Sequence, residues 1–399
     1  MKMARISIAF FFVQLLLCSF ISAQESDASS PISEYKLPDS LSASFAIEVD
    51  GKGRVWFTEK VGRNIAMFDP DSERFEVFPL PESWGRVGPS QFTVTDEGNI
   101  WFTIRRWADD VTETNVLGRF SPSTGEFVRY EISLDASPQE IVADDEGMLW
   151  LLAADTNQLF RVDPVNGKVL SYEIPTPDSN PQGLSLGLNG DIWFSEPNTN
   201  QIGRFSSREG FFEEYEIPTA FANPGDIAVD AQGKVWFVQR SSNRLGVLYP
   251  ELGRFDEALV PTLDALPHAI ELDSHGRVWF LEYRGNKVGV FNPTLARFEE
   301  FTIPRYNSFP GELAYDPKRG LLWFTESNAE ITQLGVLSID LANLPTDSTD
   351  LEIATAASAT RIATDGVAVN YSTLSIALSL AAIIFAVGVW VTVRSREAG

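Results

Sequence analysis

Hydrophobic and polar positions alternate in short runs along most of the chain, and each run is bounded by Gly, Pro, Asn, Asp or Ser. A period of two, rich in β-branched and aromatic residues, predicts β-strands. The runs recur in a fixed order. An apolar run such as "HAIELD" leads into a tight turn such as "DSHG", whose glycine supplies the positive φ a short hairpin needs. A run such as "RVWFLE" follows, then a loop, then "KVGVFNP", and last an outer run such as "RFEEFTIP". One tryptophan marks each copy: Trp56, Trp101, Trp150, Trp193, Trp236, Trp279 and Trp323, at intervals of 45, 49, 43, 43, 43 and 44 residues. Self-similarity at this period, in strand-like text, predicts a β-propeller.

The copies number seven inner three-strand groups and seven outer runs, but the first outer run, "SEYKLP" at 33–38, precedes every inner group and none follows the last. The expected fold is therefore all-β, a seven-bladed β-propeller over 33–341 closed by its N-terminal strand, which leaves no unpaired edge in the ring. The tryptophans and the aromatic residues after them are expected to pack between blades.

Both histidines of the chain fall in "LPHAIELDSHGRVWFLE", 266–282. Antiparallel pairing about the turn places His268 beside Leu281 and Glu282 at one end of the blade, and His275 in the turn at the other. The His268 end also carries the more variable connections, "ESWGRVG" and "IRRWADDVTETN"; function is usually built on such loops. Across the copies the His268 position reads Phe45, Ser90, Gln139, Gln182, Gly225, His268 and Gly311. The Glu282 position reads Glu59, Ile104, Ala153, Glu196, Gln239, Glu282 and Glu326. Carboxylates converging near a central channel suit Mg²⁺ or Ca²⁺; they equally suit pairing with Arg105, Arg106 and Arg284, and both readings stay open.

The formal net charge is -24, which repels DNA and RNA and excludes a nucleic-acid partner. The ends point to the cell surface. Residues 1–23 have a positive start, an apolar run and small residues before a cut, as a secretory signal does. The only cysteine, Cys18, lies within it, so no disulfide is expected in the exported chain. Residues 374–393 are uncharged and long enough for a membrane-spanning helix. Arg394 and Arg396 place the 394–399 tail in the cytoplasm, and 342–370 reads as an extracellular stalk. The expectation is a single-pass membrane protein, a monomer, with its propeller outside the cytoplasm.

The unit P-x-x-I-x-x-D-x-x-G-x-x-W-F-T-E followed by I-G-R-F-D-P and E-Y-x-I-P is clearest in "NPQGLSLGLNGDIWFSEPNTNQIGRFSSREGFFEEYEIP". It resembles the repeat of the streptogramin lyase (virginiamycin B lyase) family across all seven units. The resemblance implies opening of a cyclic depsipeptide by elimination across an ester C–O bond, with a histidine pair on neighbouring blades and carboxylates holding Mg²⁺. It makes His268 a general base and puts Glu282, with Glu326, near the cation. Gly225 stands where the partner histidine is expected, with Asp226 beside it as a substitute acid or base, and Leu266 where another carboxylate is expected. Tyr283, Arg284, Gln239, Arg105 and Arg106 are the expected substrate contacts. Two functions follow: a membrane-anchored, metal-dependent carbon–oxygen lyase, or a non-catalytic surface module that binds a small molecule or peptide on the same face. A lactone hydrolase of the gluconolactonase type is a third, without a convincing ligand set.

Overall fold

The computed structural model describes residues 30–339 apart from 39–40, 43, 60, 107–114, 135 and 329–332. The expected signal, stalk, membrane helix and tail lie outside the described residues. Among the described residues, no helix is long and apolar enough to cross a membrane.

Hydrogen bonding joins the strands into seven four-stranded antiparallel sheets. The blades span 44–79, 87–134, 140–173, 182–216, 224–259, 267–302 and 310–338, and the seventh takes its outer strand from Ile32–Lys36. Ile32 pairs with Leu337 and Lys36 with Gln333, so the N-terminal strand closes the ring as its sequence position predicted. The innermost strands pack each against the next, and the seventh against the first. Both described ends of the propeller lie at the turn end: Ile32 pairs with Leu337 and Leu321 with Ser338 there, whereas Glu326 pairs with Pro310 at the opposite end.

The D-x-x-G turn does more than reverse the chain. In blade six Asp273 Oδ1 accepts the N–H groups of His275 and Arg277 at 2.8 and 3.0 Å. Its Oδ2 accepts Arg277 Nε at 2.6 Å and the Trp279 indole N–H at 2.8 Å. Asp50, Asp144 and Asp230 hold Trp56, Trp150 and Trp236 in the same way. The tryptophan is thereby fixed as a wedge: Trp279 is fully buried against Leu313, Leu322 and Phe324 of blade seven. His275 is an exposed turn residue.

At the other end, five blades carry the same irregularity in the innermost strand. Between Pro267 and Ile270, His268 and Ala269 together face the single residue Leu281. The pairs 45–46, 90–91, 225–226 and 311–312 are bulged likewise. A bulge bends the strand and re-aims the side chains it carries.

Candidate functional site

Three bulge residues, Gln91, Asp226 and Glu312, meet Glu140 of the regularly paired third blade at the propeller axis. Glu140 of blade three acts on Asp226 and Arg240 of blade five, and the Gln91 side chain of blade two lies beside both Glu140 and Glu312 of blade seven. Lower down, Glu48 of blade one faces Glu271 of blade six. Groups on non-adjacent blades meet only across the channel. Each of these residues is half-buried. Burial first, then neighbouring carboxylates, pushes Glu140 and Glu48 up to about 8. Burial raises Glu271 to about 7, and it raises Glu312 well above the ordinary carboxyl range, with Asp226 and Glu140 adding to it.

Arg240 sits at the centre of this group. Its guanidinium donates to Gln182 Oε1 of blade four at 2.7 Å and is flanked by Asp226, Glu312 and Glu140. It also lies directly over Gly225: a Cβ there would come within 2.5 Å of Nε and 2.7 Å of Cζ. Any side chain at position 225 would meet Arg240, so the place of the expected second histidine is filled from the next strand.

His268 lies across from Arg240, its ring 5.5 Å from Tyr283, which stacks in turn on Phe309 at 5.1 Å. Burial and the nearby Arg240 cation lower His268 to about 4. The ring is neutral at neutral pH, and it withdraws stability as pH falls from about 6.5 towards 4, where the unfolded chain takes up the proton first. In an NMR titration of the full chain, with His268→Gln as the assignment control, its ring signals should hold steady down to about pH 5. Movement centred near the free-imidazole value would contradict this placement.

Asp226, expected as an acid or base, has both oxygens engaged by backbone: Oδ1 accepts Ile227 N–H at 2.8 Å and Oδ2 accepts Ile270 N–H at 2.9 Å. Blades one and seven use Thr58 and Thr325 hydroxyls to accept an N–H released by the bulge. Blade six has Leu281 there, and Asp226 of the neighbouring blade accepts the N–H one position further on, that of Ile270. Asp226 therefore holds the segment that carries His268.

Of the expected cation residues, Glu282 pairs with Pro267 beside His268, but its carboxyl lies among Glu300, Thr262 and Lys287. Glu282 and Glu326 are fully buried, on second strands, each with an innermost strand between it and the axis. Glu282 is tucked beneath the 283–286 turn beside Glu300 and Lys287, and Glu326 faces Glu34 and Arg305. Among the described residues, no group of three or more His, Cys, Asp and Glu is arranged to hold a metal ion. These residues do not fit Mg²⁺ or Ca²⁺ at the His268 end. Of the expected contacts, Tyr283 borders His268 and Arg105 lies over the Phe45 ring at 5.6 Å. Gln239 is buried and donates to Glu257, and Arg284 pairs with Asp264 on the surface. Arg106 is placed by its backbone alone, opposite Val87; its side chain lies outside what is described.

The sequence reading missed Arg240, Glu140, Glu312 and Gln91. The signal was one position further on: the residue after each His268 equivalent is Ala46, Gln91, Glu140, Gly183, Asp226, Ala269 or Glu312.

The sequence model of the virginiamycin B lyase family matches residues 30–334. Among solved structures, selenomethionine-substituted virginiamycin B lyase from Staphylococcus aureus is 27% identical, with a TM-score of 0.67 over 77% of this chain and 99% of that one. A catalytically inactive histidine-to-alanine variant of the S. aureus lyase, with quinupristin, is 26% identical at the same TM-score and coverage. A streptogramin B lyase structure is 27% identical, with a TM-score of 0.66 over 76% of this chain and 96% of that one. No curated protein sequence is significantly similar to the chain.

Proposed function

The chain belongs to the virginiamycin B lyase family, and from that premise we propose that it is a cell-surface propeller that binds a compact cyclic peptide or depsipeptide at the channel mouth without opening it. The observation that carries this reading is Arg240 over Gly225. The elimination that the family resemblance implies needs its own histidine pair, or a substitute at that place, poised near the working pH. Here the second histidine position is closed by a guanidinium, the remaining histidine is lowered to about 4, and Asp226 is taken up by backbone N–H groups. What the mouth offers instead is the Tyr283–Phe309 aromatic stack beside a hydrogen-bonding cation, a surface suited to an amide- and ester-rich ring.

Display at the surface rests on the apolar run 374–393 and the leader-like 1–23.

A second reading, a carbon–oxygen lyase, is favoured by one observation: His268 is unprotonated at neutral pH and can accept a proton. A divalent cation belongs to that reading alone. Calorimetry of the full chain with quinupristin, followed by mass spectrometry of the mixture, separates the two. Binding with the ring intact supports the proposal. Linear product that disappears in His268→Ala would establish the lyase, and neither binding nor product would remove both.

A further inference from the structure

The buried carboxyls that the sequence assigned to a cation stand in a repeated arrangement that points to another ligand. In blades four to seven the second strand ends in Glu196, Gln239, Glu282 or Glu326, each fully buried. On the same four blades a third-strand glycine pairs with an outer-strand glutamate: Gly203 with Glu214, Gly246 with Glu257, Gly289 with Glu300, and Gly335 with Glu34. Blade one, whose second-strand acid is Glu59, has Ala66 paired with Val77 instead. Glu59 there accepts, among the described residues, from the Ser42 N–H and hydroxyl and the Asn64 amide.

Blade five is the internal control. The Gln239 amide donates to Glu257 Oε1 at 2.7 Å. Its equivalents face a carboxylate at the same place, where an ionised carboxylate would have nothing to donate. Among the described residues, both oxygens of Glu282 and of Glu326, and Oε1 of Glu196, have no hydrogen-bond partner as ionised groups. The outer glutamates are committed elsewhere as acceptors. Glu214 takes the Thr176 N–H and hydroxyl, Glu300 takes those of Thr262 together with Lys287 Nζ, and Glu34 takes the Arg305 N–H. These loops come from the preceding blade, so each outer glutamate straddles a seam.

We propose that Glu196, Glu282 and Glu326 are neutral carboxylic acids that donate to Glu214, Glu300 and Glu34, making three blade seams proton-held clasps that loosen as pH rises. A carboxylic acid beside a carboxylate has the shape and donor pattern of the Gln239 amide. The groups facing each acid are few. Glu196 meets Glu214 and the Ser179 and Thr199 hydroxyls; Glu282 meets Glu300, Thr262 and Lys287; Glu326 meets Glu34 and Arg305. Lys287 bonds to Glu300 and Thr262. Burial, then the facing glutamate, holds all three acids at about 7, while Glu300 is kept below its ordinary value despite burial by Lys287 and Thr262. The folded chain thus binds more protons than the unfolded one between the ordinary glutamate value and about 7. This contribution to stability is full below that window and lost across it.

Thermal unfolding of the full-length chain tests this. The wild-type midpoint should fall between about pH 5 and pH 8, and it should fall less in the Glu196→Gln/Glu282→Gln/Glu326→Gln triple variant, which should be the more stable protein at the upper end. The infrared carbonyl band of protonated carboxylic acids, present in the wild type at mildly acidic pH, should weaken in the triple variant. If the triple variant does not fold, Glu282→Gln alone carries both measurements. A variant less stable at every pH with an unchanged slope would overturn the proposal. So would Mg²⁺ that raises the wild-type midpoint at high pH and leaves Glu282→Gln unmoved.

Discussion

Asp273→Ala is expected to cost about 3–5 kcal/mol of stability, the range for removing one partner of a buried charge pair. Four hydrogen bonds end on the Asp273 carboxylate, from two backbone N–H groups, the Arg277 guanidinium and the Trp279 indole. Arg277 is only 3% exposed and rests on the Trp279 ring, so without Asp273 its charge stays buried with Glu299 as its remaining acidic neighbour. Trp279 loses the acceptor that orients it against blade seven. Both effects fall on one seam, and a propeller is closed only if every seam is. His275→Ala, two residues away in the same turn, removes an exposed ring whose place depends on its backbone N–H, and should stay within about 0.5 kcal/mol. Denaturant unfolding of the two variants side by side checks the pair; similar losses would refute the account of the turn.

That contrast shows what was legible in the sequence. The blade count, the closing strand and the opposite placement of His268 and His275 follow from spacing, because every copy must bury the same tryptophan against its neighbour. The D-x-x-G aspartate was legible only as a turn residue; that it also reaches the indole six positions on needs the hairpin in three dimensions. The fate of Glu282 was not legible. Recurrence at a strand end suggested a ring of carboxylates around the channel, but only innermost strands border the axis, and Glu282 lies one strand further out. The bulges hid the rest. Two residues facing one on the partner strand break the period of two, so the alternation that placed the core gave no warning that Asp226 and Glu312 share the axis with Glu140. Arg240 was hidden for a related reason: it follows the second strand and reaches inward because Gly225 leaves the space.

Arg240→Ala is expected to alter three properties that no separate local contacts would link. The first is stability. Asp226, Glu140 and Glu312 lose the guanidinium that flanks all three, while Gln182 Oε1 loses its donor. These residues are half-buried, so the loss at neutral pH should be about 2 kcal/mol, below the roughly 3–5 kcal/mol of a fully buried pair. The second is the pH dependence of that loss. Without the guanidinium the three carboxyls hold protons more tightly, so the folded variant binds more protons than the folded wild type. The deficit must therefore grow as pH rises and shrink as it falls. The third is His268. Burial, the larger cause of its low value, remains, but the repulsion from Arg240 goes, so its NMR titration should move up from about 4 and still end below the free-imidazole value. Arg240→Lys keeps the charge without the planar fork that bonds Gln182 while covering Gly225. It should preserve the His268 titration better than the stability. A deficit independent of pH together with an unmoved His268 would show that the carboxyls and the histidine do not share Arg240, and the channel mouth would then be several separate contacts with no common electrostatic centre.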